Sequence, residues 1–75
     1  MIMNIYLLKD LARLSGLSTH TVKYYLNLGL IKEIGRSPST GFRYFNDQTL
    51  ERLEQIKQYR RNKLSINKIK TLIEP

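Results

Sequence analysis

Polar and apolar side chains recur with helical spacing in the segment 18–27, which contains most of the residues suited to binding a ligand. One face carries four polar residues at intervals of three and four: His20, Lys23, Tyr24 and Asn27. This face supplies hydrogen-bond donors, a positive charge and a flat aromatic ring. Such groups bind phosphates and contact base edges in a nucleic-acid groove.

The same segment is bounded by residues that start and stop helices. Ser18 is a good N-cap, and Gly29 suits the left-handed position just beyond a helix end. The face opposite the polar one is apolar and consists of Val22, Tyr25 and Leu26. The segment is therefore predicted to form a short helix with one buried face and one solvent-facing face.

A second short helix is predicted just upstream. Apolar residues recur with helical spacing over 7–14, and the buried positions are predicted to be Leu7, Leu11 and Leu14. A Ser-Gly-Leu break at 15–17 separates the two helices. Two helices around a short glycine-containing turn form a helix-turn-helix, whose second helix usually enters the major groove of DNA. An ordinary helical corner with a solvated polar face is the alternative, because the pattern is short.

Composition favours a polyanionic partner. The chain has 75 residues, which suits a single domain over 1–75, and its 13 Lys and Arg against six Asp and Glu give a net charge of +7. No stretch is apolar enough to span a bilayer, so we expect double-stranded DNA and no membrane. No cysteine is present, the one histidine is His20, and the acids lack metal-ligand spacing. We therefore expect no cofactor, no metal and no enzymatic activity, and a cytoplasmic location because no secretory signal pattern is visible.

The middle of the chain is predicted to form a β-hairpin, or wing. Residues 32–35 are predicted to be a strand, 36–41 a polar loop, and 42–45 a half-buried strand. Phe42 and Phe45 are expected to pack beneath the wing, because large apolar residues are usually buried.

Two further helices are predicted downstream. Asn46 is expected to cap the third helix, whose buried face is predicted to contain Leu50, Leu53, Ile56 and Tyr59. Ser65 is expected to cap the fourth, with four inward residues: Ile66, Ile69, Leu72 and Ile73. The predicted fold class is therefore mainly α, a winged helix-turn-helix of four helices with a small β-hairpin wing.

This order of elements resembles the DNA-binding domain of MerR-type regulators. The resemblance covers about residues 6–73 and depends on three motifs: Val22-Lys23-Tyr24-Tyr25, Gly29-Leu30-Ile31 and Gly41-Phe42-Arg43-Tyr44-Phe45. It implies sequence-specific binding of double-stranded DNA, with the second helix in the major groove and the wing on the phosphate backbone.

The resemblance also implies roles for individual residues. Lys23 stands where the family usually has a phosphate-binding arginine, Tyr24 matches a tyrosine that contacts DNA, and Arg43 matches a wing arginine that binds a phosphate. Arg60 and Lys63 are expected to reach phosphates from the end of the third helix. The full set of expected DNA contacts is Ser18, Thr19, His20, Thr21, Lys23, Tyr24, Asn27, Arg36, Arg43, Arg60 and Lys63.

Two features depart from the family pattern. Leu26 replaces the acidic residue that commonly follows the two tyrosines, so we expect tighter packing there. Family regulators continue into a coiled-coil helix and an effector domain, neither of which follows the fourth helix here, so the isolated chain is expected to be a monomer.

The chain is then either the DNA-binding domain of a regulator that acts with RNA polymerase, or a small excisionase-like protein that bends DNA for a recombinase. The closer motif match favours the regulator.

Overall fold

The computed structural model describes residues 4–73 and contains four helices and three short strands. Their order is β1 (Tyr6–Leu7), α1 (Leu8–Ser15), α2 (Thr19–Asn27), β2 (Gly35–Arg36), β3 (Arg43–Phe45), α3 (Asp47–Arg61) and α4 (Ile66–Ile73). The predicted class, mainly α with four helices and a small wing, is confirmed. The strand β1 is an addition that two residues could not signal, because two positions establish no alternation.

The ends of α2 are where the sequence places them. The Ser18 hydroxyl accepts a hydrogen bond from the Thr21 amide at 3.1 Å, which satisfies one of the free donors of the first turn. At the other end, Gly29 has a φ of 81°. The amides of Gly29 and Leu30 donate back to carbonyls of the last helical turn at 3.1 and 3.0 Å, which is the Schellman arrangement.

The predicted caps of the last two helices are also confirmed. The side-chain oxygen of Asn46 accepts from the amides of Gln48 and Thr49 at 3.1 and 3.3 Å. The Ser65 hydroxyl accepts from the Lys68 amide at 3.2 Å. Both helices therefore start at the residues that the sequence indicates.

One compact core joins all four helices to the sheet. Its buried apolar residues are Leu11, Ala12, Val22, Tyr25, Leu30, Ile31, Phe45, Leu53, Ile56 and Ile69. The predicted inward positions at Leu53, Ile56 and Ile69 are confirmed, whereas Leu50 and Tyr59 are half-buried at the margin.

The predicted buried face of α1 was wrong at Leu14, which is 44% exposed. Leu7 belongs to β1 and caps the helix, and its amide donates to the Asp10 carboxylate at 2.9 Å. The helix therefore starts one residue later than predicted, and its inward face passes through Leu11, Ala12 and Ser15. Leu14 lies to one side of this face.

A similar displacement makes the prediction for Leu72 wrong. This side chain is 48% exposed, whereas Ile69 is fully buried and Ile66 and Ile73 pack against the core. Residues 66, 69 and 73 lie within one helical stripe, and position 72 lies at its edge.

The sheet is antiparallel with strand order β1-β3-β2. The predicted strand over 32–35 was therefore misplaced: only Gly35 belongs to β2, and Arg36, predicted to be in the loop, completes it. Gly35 pairs with Tyr44, whose phenol ring occupies the space that a Cβ at Gly35 would need. A larger residue at this position would require the Tyr44 ring to move.

Of the two phenylalanines expected beneath the wing, one is buried and one is not. Phe45 is fully buried in the core, as predicted. Phe42 is 62% exposed, so its predicted burial was wrong. The strand β3 starts at Arg43, and Phe42 precedes it at the mouth of the loop, where no element of residues 4–73 covers its ring.

Candidate nucleic-acid interface

The rotation of α2 about its axis agrees with the sequence. Val22 is fully buried and Tyr25 is only 7% exposed, so this stripe anchors the helix to the core. The opposite stripe faces solvent, and Tyr24 on it is 48% exposed. The other exposed members of that stripe are His20, Lys23 and Asn27.

The two adjacent tyrosines touch although they belong to different faces. The ring centroids of Tyr24 and Tyr25 are 5.9 Å apart, and the ring planes are inclined at 42°. This tilted contact limits the positions available to the outer ring. A flat, partly ordered ring is thereby held on the solvent-facing side of α2.

The first turn of α2 uses some of its hydroxyls internally. Besides accepting from the Thr21 amide, the Ser18 hydroxyl donates to Thr21 Oγ1 at 2.9 Å. Thr19 and His20 are exposed beside this cap. Ser18 and Thr21 therefore shape the start of the helix, while Thr19 and His20 present their side chains directly to solvent.

A groove of about 460 Å³ is bordered by the wing, by the junction of β1 and α1, and by one residue of α2, and it brings cations of these elements together. Lys23 of α2 lines it with Arg36 and Arg43 of the wing, three residues singled out from the sequence. Lys9, from the first turn of α1, is a fourth lining cation that the sequence prediction missed. Its solvent-facing position was recognisable from the helical pattern, but its nearness to the wing depends on the pairing of β1 with β3.

The groove also has apolar walls. Leu7, Leu8 and the exposed Phe42 are among the residues that line it. Apolar walls with cations around them suit a ligand that carries both negative charge and apolar surface. The sugar-phosphate backbone of a nucleic acid has this combination.

The wing arginines share one carboxylate, a contact that the sequence analysis missed. Glu33 Oε2 accepts from Arg36 Nε at 2.7 Å, and Glu33 Oε1 lies 3.0 Å from Arg43 Nε. The hydrogen bond from Arg36 lowers the pKa of Glu33, assisted by the charges of both arginines, and the same contact raises the pKa of Arg36. The spacing of three between Glu33 and Arg36 was a signal for the first pair, whereas the second requires the hairpin to be folded.

Two predicted site residues lie elsewhere. Arg60 and Lys63 are exposed at the C-terminal end of α3, and neither lines the groove. Arg60 Nη1 donates to the Leu64 carbonyl at 3.0 Å, and Lys63 adopts a φ of 63°, the left-handed conformation that ends this helix. Lys57, one helical turn earlier, donates to the carbonyl of Ser15 and so ties this part of α3 to the end of α1.

Within residues 4–73, no three His, Asp or Glu side chains are grouped so that they could hold a metal ion. None of the helices in that range has the length and apolar character required to cross a membrane. Of the residues predicted to contact DNA, the groove brings together Lys23, Arg36 and Arg43.

Known proteins share this architecture and sequence pattern. The family described as MerR HTH family regulatory protein matches residues 6–74. The HTH-type transcriptional regulator CueR of Bacillus subtilis is 38% identical over 69 residues, which are 92% of this chain and 47% of CueR. The chain thus spans about half the length of that relative.

Solved structures agree with this match. The crystal structure of the HTH-type transcriptional regulator SkgA from Caulobacter crescentus has a TM-score of 0.85 and 33% identity, covering 97% of this chain and 52% of that one. HiNmlR, a MerR family regulator that lacks the sensor domain and was crystallised bound to promoter DNA, has a TM-score of 0.84 and 28% identity, covering 95% and 53%. A family match over nearly the whole sequence, together with the shared fold, shows that this chain belongs to the MerR family of helix-turn-helix regulatory proteins.

Proposed function

We propose that this chain binds double-stranded DNA as the DNA-binding domain of a transcriptional regulator. The exposed stripe of α2 enters the major groove, and the wing holds the phosphate backbone beside it. The observation that carries the proposal is the groove beside the wing, where Lys23 of α2 and the wing residues Arg36 and Arg43 are brought together. Lys23 is at least 13 positions from the wing arginines in the sequence, and the fold gathers all three cations beside the exposed polar stripe of α2.

The proposed contacts divide by chemistry. Lys23, Arg36 and Arg43 bind phosphates, and Lys9 joins them from α1. Thr19, His20 and Thr21 in the first turn of α2, with Asn27 in its last turn, are near enough to a groove floor to touch base edges. Tyr24 places its ring against the sugar-phosphate backbone of the DNA. Three further residues complete the predicted set with supporting roles: Ser18 caps the helix, and Arg60 and Lys63 reach phosphates outside the groove. Phe42, which was not in that set, packs on sugars.

The comparisons support a regulator rather than an excisionase-like protein. CueR and SkgA are transcriptional regulators, and HiNmlR was crystallised on promoter DNA. RNA polymerase, rather than a recombinase, is the protein partner that suits this interpretation. The place of action that follows for this chain is the cytoplasm, where duplex DNA is found in bacteria.

The experiment is a titration of labelled duplex DNA, followed by fluorescence anisotropy at several salt concentrations. Lys23→Gln is compared with Lys68→Gln, a matched loss of one charge from the exposed surface of α4. Loss of a phosphate contact reduces the slope of log K against log salt by about 0.9, so Lys23→Gln should flatten the slope and weaken binding. Lys68→Gln should leave the slope near that of the wild type. Equal effects of the two variants would show that net charge alone attracts the DNA, and the proposed interface would be wrong.

A further inference from the structure

Glu33 lies where an acidic residue is unexpected, between the two arginines of the proposed DNA-binding wing. Its Oε2 accepts from Arg36 Nε at 2.7 Å, and its Oε1 lies 3.3 Å from Arg36 Nη2 and 3.0 Å from Arg43 Nε. One carboxylate thus engages both guanidinium groups. The wing carries two positive charges, and Glu33 offsets one of them in the free protein.

The donors that Glu33 occupies are those that a phosphate also needs. A guanidinium binds a carboxylate or a phosphate best through two parallel N–H groups, and Arg36 already gives Nε and Nη2 to Glu33. Arg43 gives only Nε and keeps its two terminal nitrogens for another acceptor. Arg36 can therefore offer a phosphate its bidentate edge only after it leaves Glu33.

The pairs are also exposed enough to be exchanged. The side chains of Arg36 and Arg43 are 55% and 37% exposed, and that of Glu33 is 28% exposed. Ion pairs at such positions contribute little to folding stability, because water and salt screen them. A DNA phosphate that approaches the wing therefore competes with Glu33 for the same donors.

We propose that Glu33 competes with DNA phosphates for the wing arginines and thereby lowers the affinity of the wing for the backbone of any duplex. This inference rests on the proposed function, since it assigns a role to a neighbour of the proposed phosphate contacts. Glu33 does not read sequence. It limits the sequence-independent part of the binding energy, so that a larger share depends on the contacts of α2.

The competition has a measurable size. Removing the carboxylate frees about one phosphate contact, so Glu33→Gln should steepen the slope of log K against log salt by about 0.9. At 0.1 M salt the same change makes binding tighter by a factor on the order of 3 to 10. The gain should be similar for unrelated duplex sequences.

The test compares Glu33→Gln with Glu51→Gln by anisotropy titration of two unrelated duplexes over a range of salt. Glu51 is exposed on α3 and makes no ion pair with any of residues 4–73, so its replacement raises the net charge equally without freeing an arginine. Circular dichroism checks that both variants are folded. Replacing Arg36 and Arg43 together with Gln should abolish the advantage of Glu33→Gln over Glu51→Gln.

The outcomes separate the inference from the proposed function. Tighter binding and a steeper slope for Glu33→Gln than for Glu51→Gln support the competition. If Glu33→Gln binds more weakly, the carboxylate orients the arginines for DNA and the inference is overturned; equal behaviour of the two variants also overturns it. If the wild-type chain shows no salt-dependent binding to duplex DNA, the proposed function itself fails, and the inference fails with it.

Discussion

The adjacent tyrosines of α2 give the most discriminating pair of substitutions in the chain. Tyr24 and Tyr25 have identical side chains on one helix, but Tyr24 is 48% exposed and Tyr25 is 7% exposed. Replacing each with alanine removes the same atoms from opposite faces. We expect Tyr25→Ala to act on stability and Tyr24→Ala to act mainly on DNA binding.

The magnitudes follow from burial. Truncating a buried large aromatic residue costs about 3–5 kcal/mol of unfolding free energy, so Tyr25→Ala should remove much of the stability of a domain this small. A loss of 1 kcal/mol lowers the melting temperature of such a domain by about 4–8 °C, so the decrease should be at least about 12 °C. Tyr24→Ala loses the tilted ring contact, worth about 0.5–1.5 kcal/mol, and should lower the melting temperature by only about 5 °C.

The assay is a thermal melt of each variant beside an anisotropy titration with duplex DNA. Tyr25→Phe is the control for Tyr25→Ala: within residues 4–73 the Tyr25 hydroxyl makes no described hydrogen bond, so this variant should melt close to the wild type. Tyr24→Ala should bind DNA at least tenfold more weakly at temperatures where it is fully folded. If Tyr24→Ala melted well below Tyr25→Ala, the assignment of faces on α2 would be reversed and the proposed DNA contacts would be lost with it.

The remaining predictions concern readout, capping and pH. Arg43→Ala should weaken binding to all duplexes alike and lower the slope of log K against log salt by about 0.9. His20→Ala should instead change the ranking of duplex sequences, by about 1–3 kcal/mol at an affected base pair. A uniform loss for both variants would contradict this division between phosphate contact and base readout. Asn46→Ala should cost about 0.5–2 kcal/mol of unfolding free energy in a chemical denaturation and leave DNA affinity unchanged, because it removes only the cap of α3. The hydrogen bond to Asp47, at 2.6 Å, raises the pKa of Tyr6 above its ordinary value. Its stabilising contribution should therefore be complete below pH 10 and disappear as the pH rises through the higher pKa of the folded state, and Tyr6→Phe should remove the corresponding component from an ultraviolet titration of the folded protein.

The parts of the fold that were predictable carry strong local signals. The segment of α2 combines a capping serine, a terminal glycine and two opposite stripes, and each of these constrains the helix independently. The starts of α3 and α4 were equally clear, because Asn46 and Ser65 precede regular apolar spacing. Local chemistry determines such boundaries without help from distant residues.

Errors occurred where tertiary contacts decide. The inward face of α1 shifted by one residue because Leu7 pairs with β3 instead of entering the helix. Phe42 was expected to be buried by its residue type, but it precedes the strand and meets no covering element among the described residues. The contact that decides the first case joins segments more than 30 positions apart. The second case depends on where the three-residue strand β3 begins.

The proposed DNA-binding site likewise combines residues with clear local signals and residues that only tertiary contacts bring together. The polar stripe of α2 was evident from helical spacing, and Arg43 from its motif. The contributions of Lys9 and Glu33 were not evident, because Lys9 reaches the groove and Glu33 reaches Arg43 only after the chain has folded. Sequence spacing predicts which residues share an element, and the fold decides which elements share a surface.

In the proposed complex, the exposed stripe of α2 and the wing together face duplex DNA. The most direct test of this arrangement is a nuclear magnetic resonance titration of the isotope-labelled chain with a duplex, following the backbone amide of each residue. We expect the largest shifts in 18–27 and 35–43, while the exposed surface of α4, including Lys68 and Thr71, should change little. Shifts concentrated on α4, or spread evenly over all basic residues, would show that this interface is wrong.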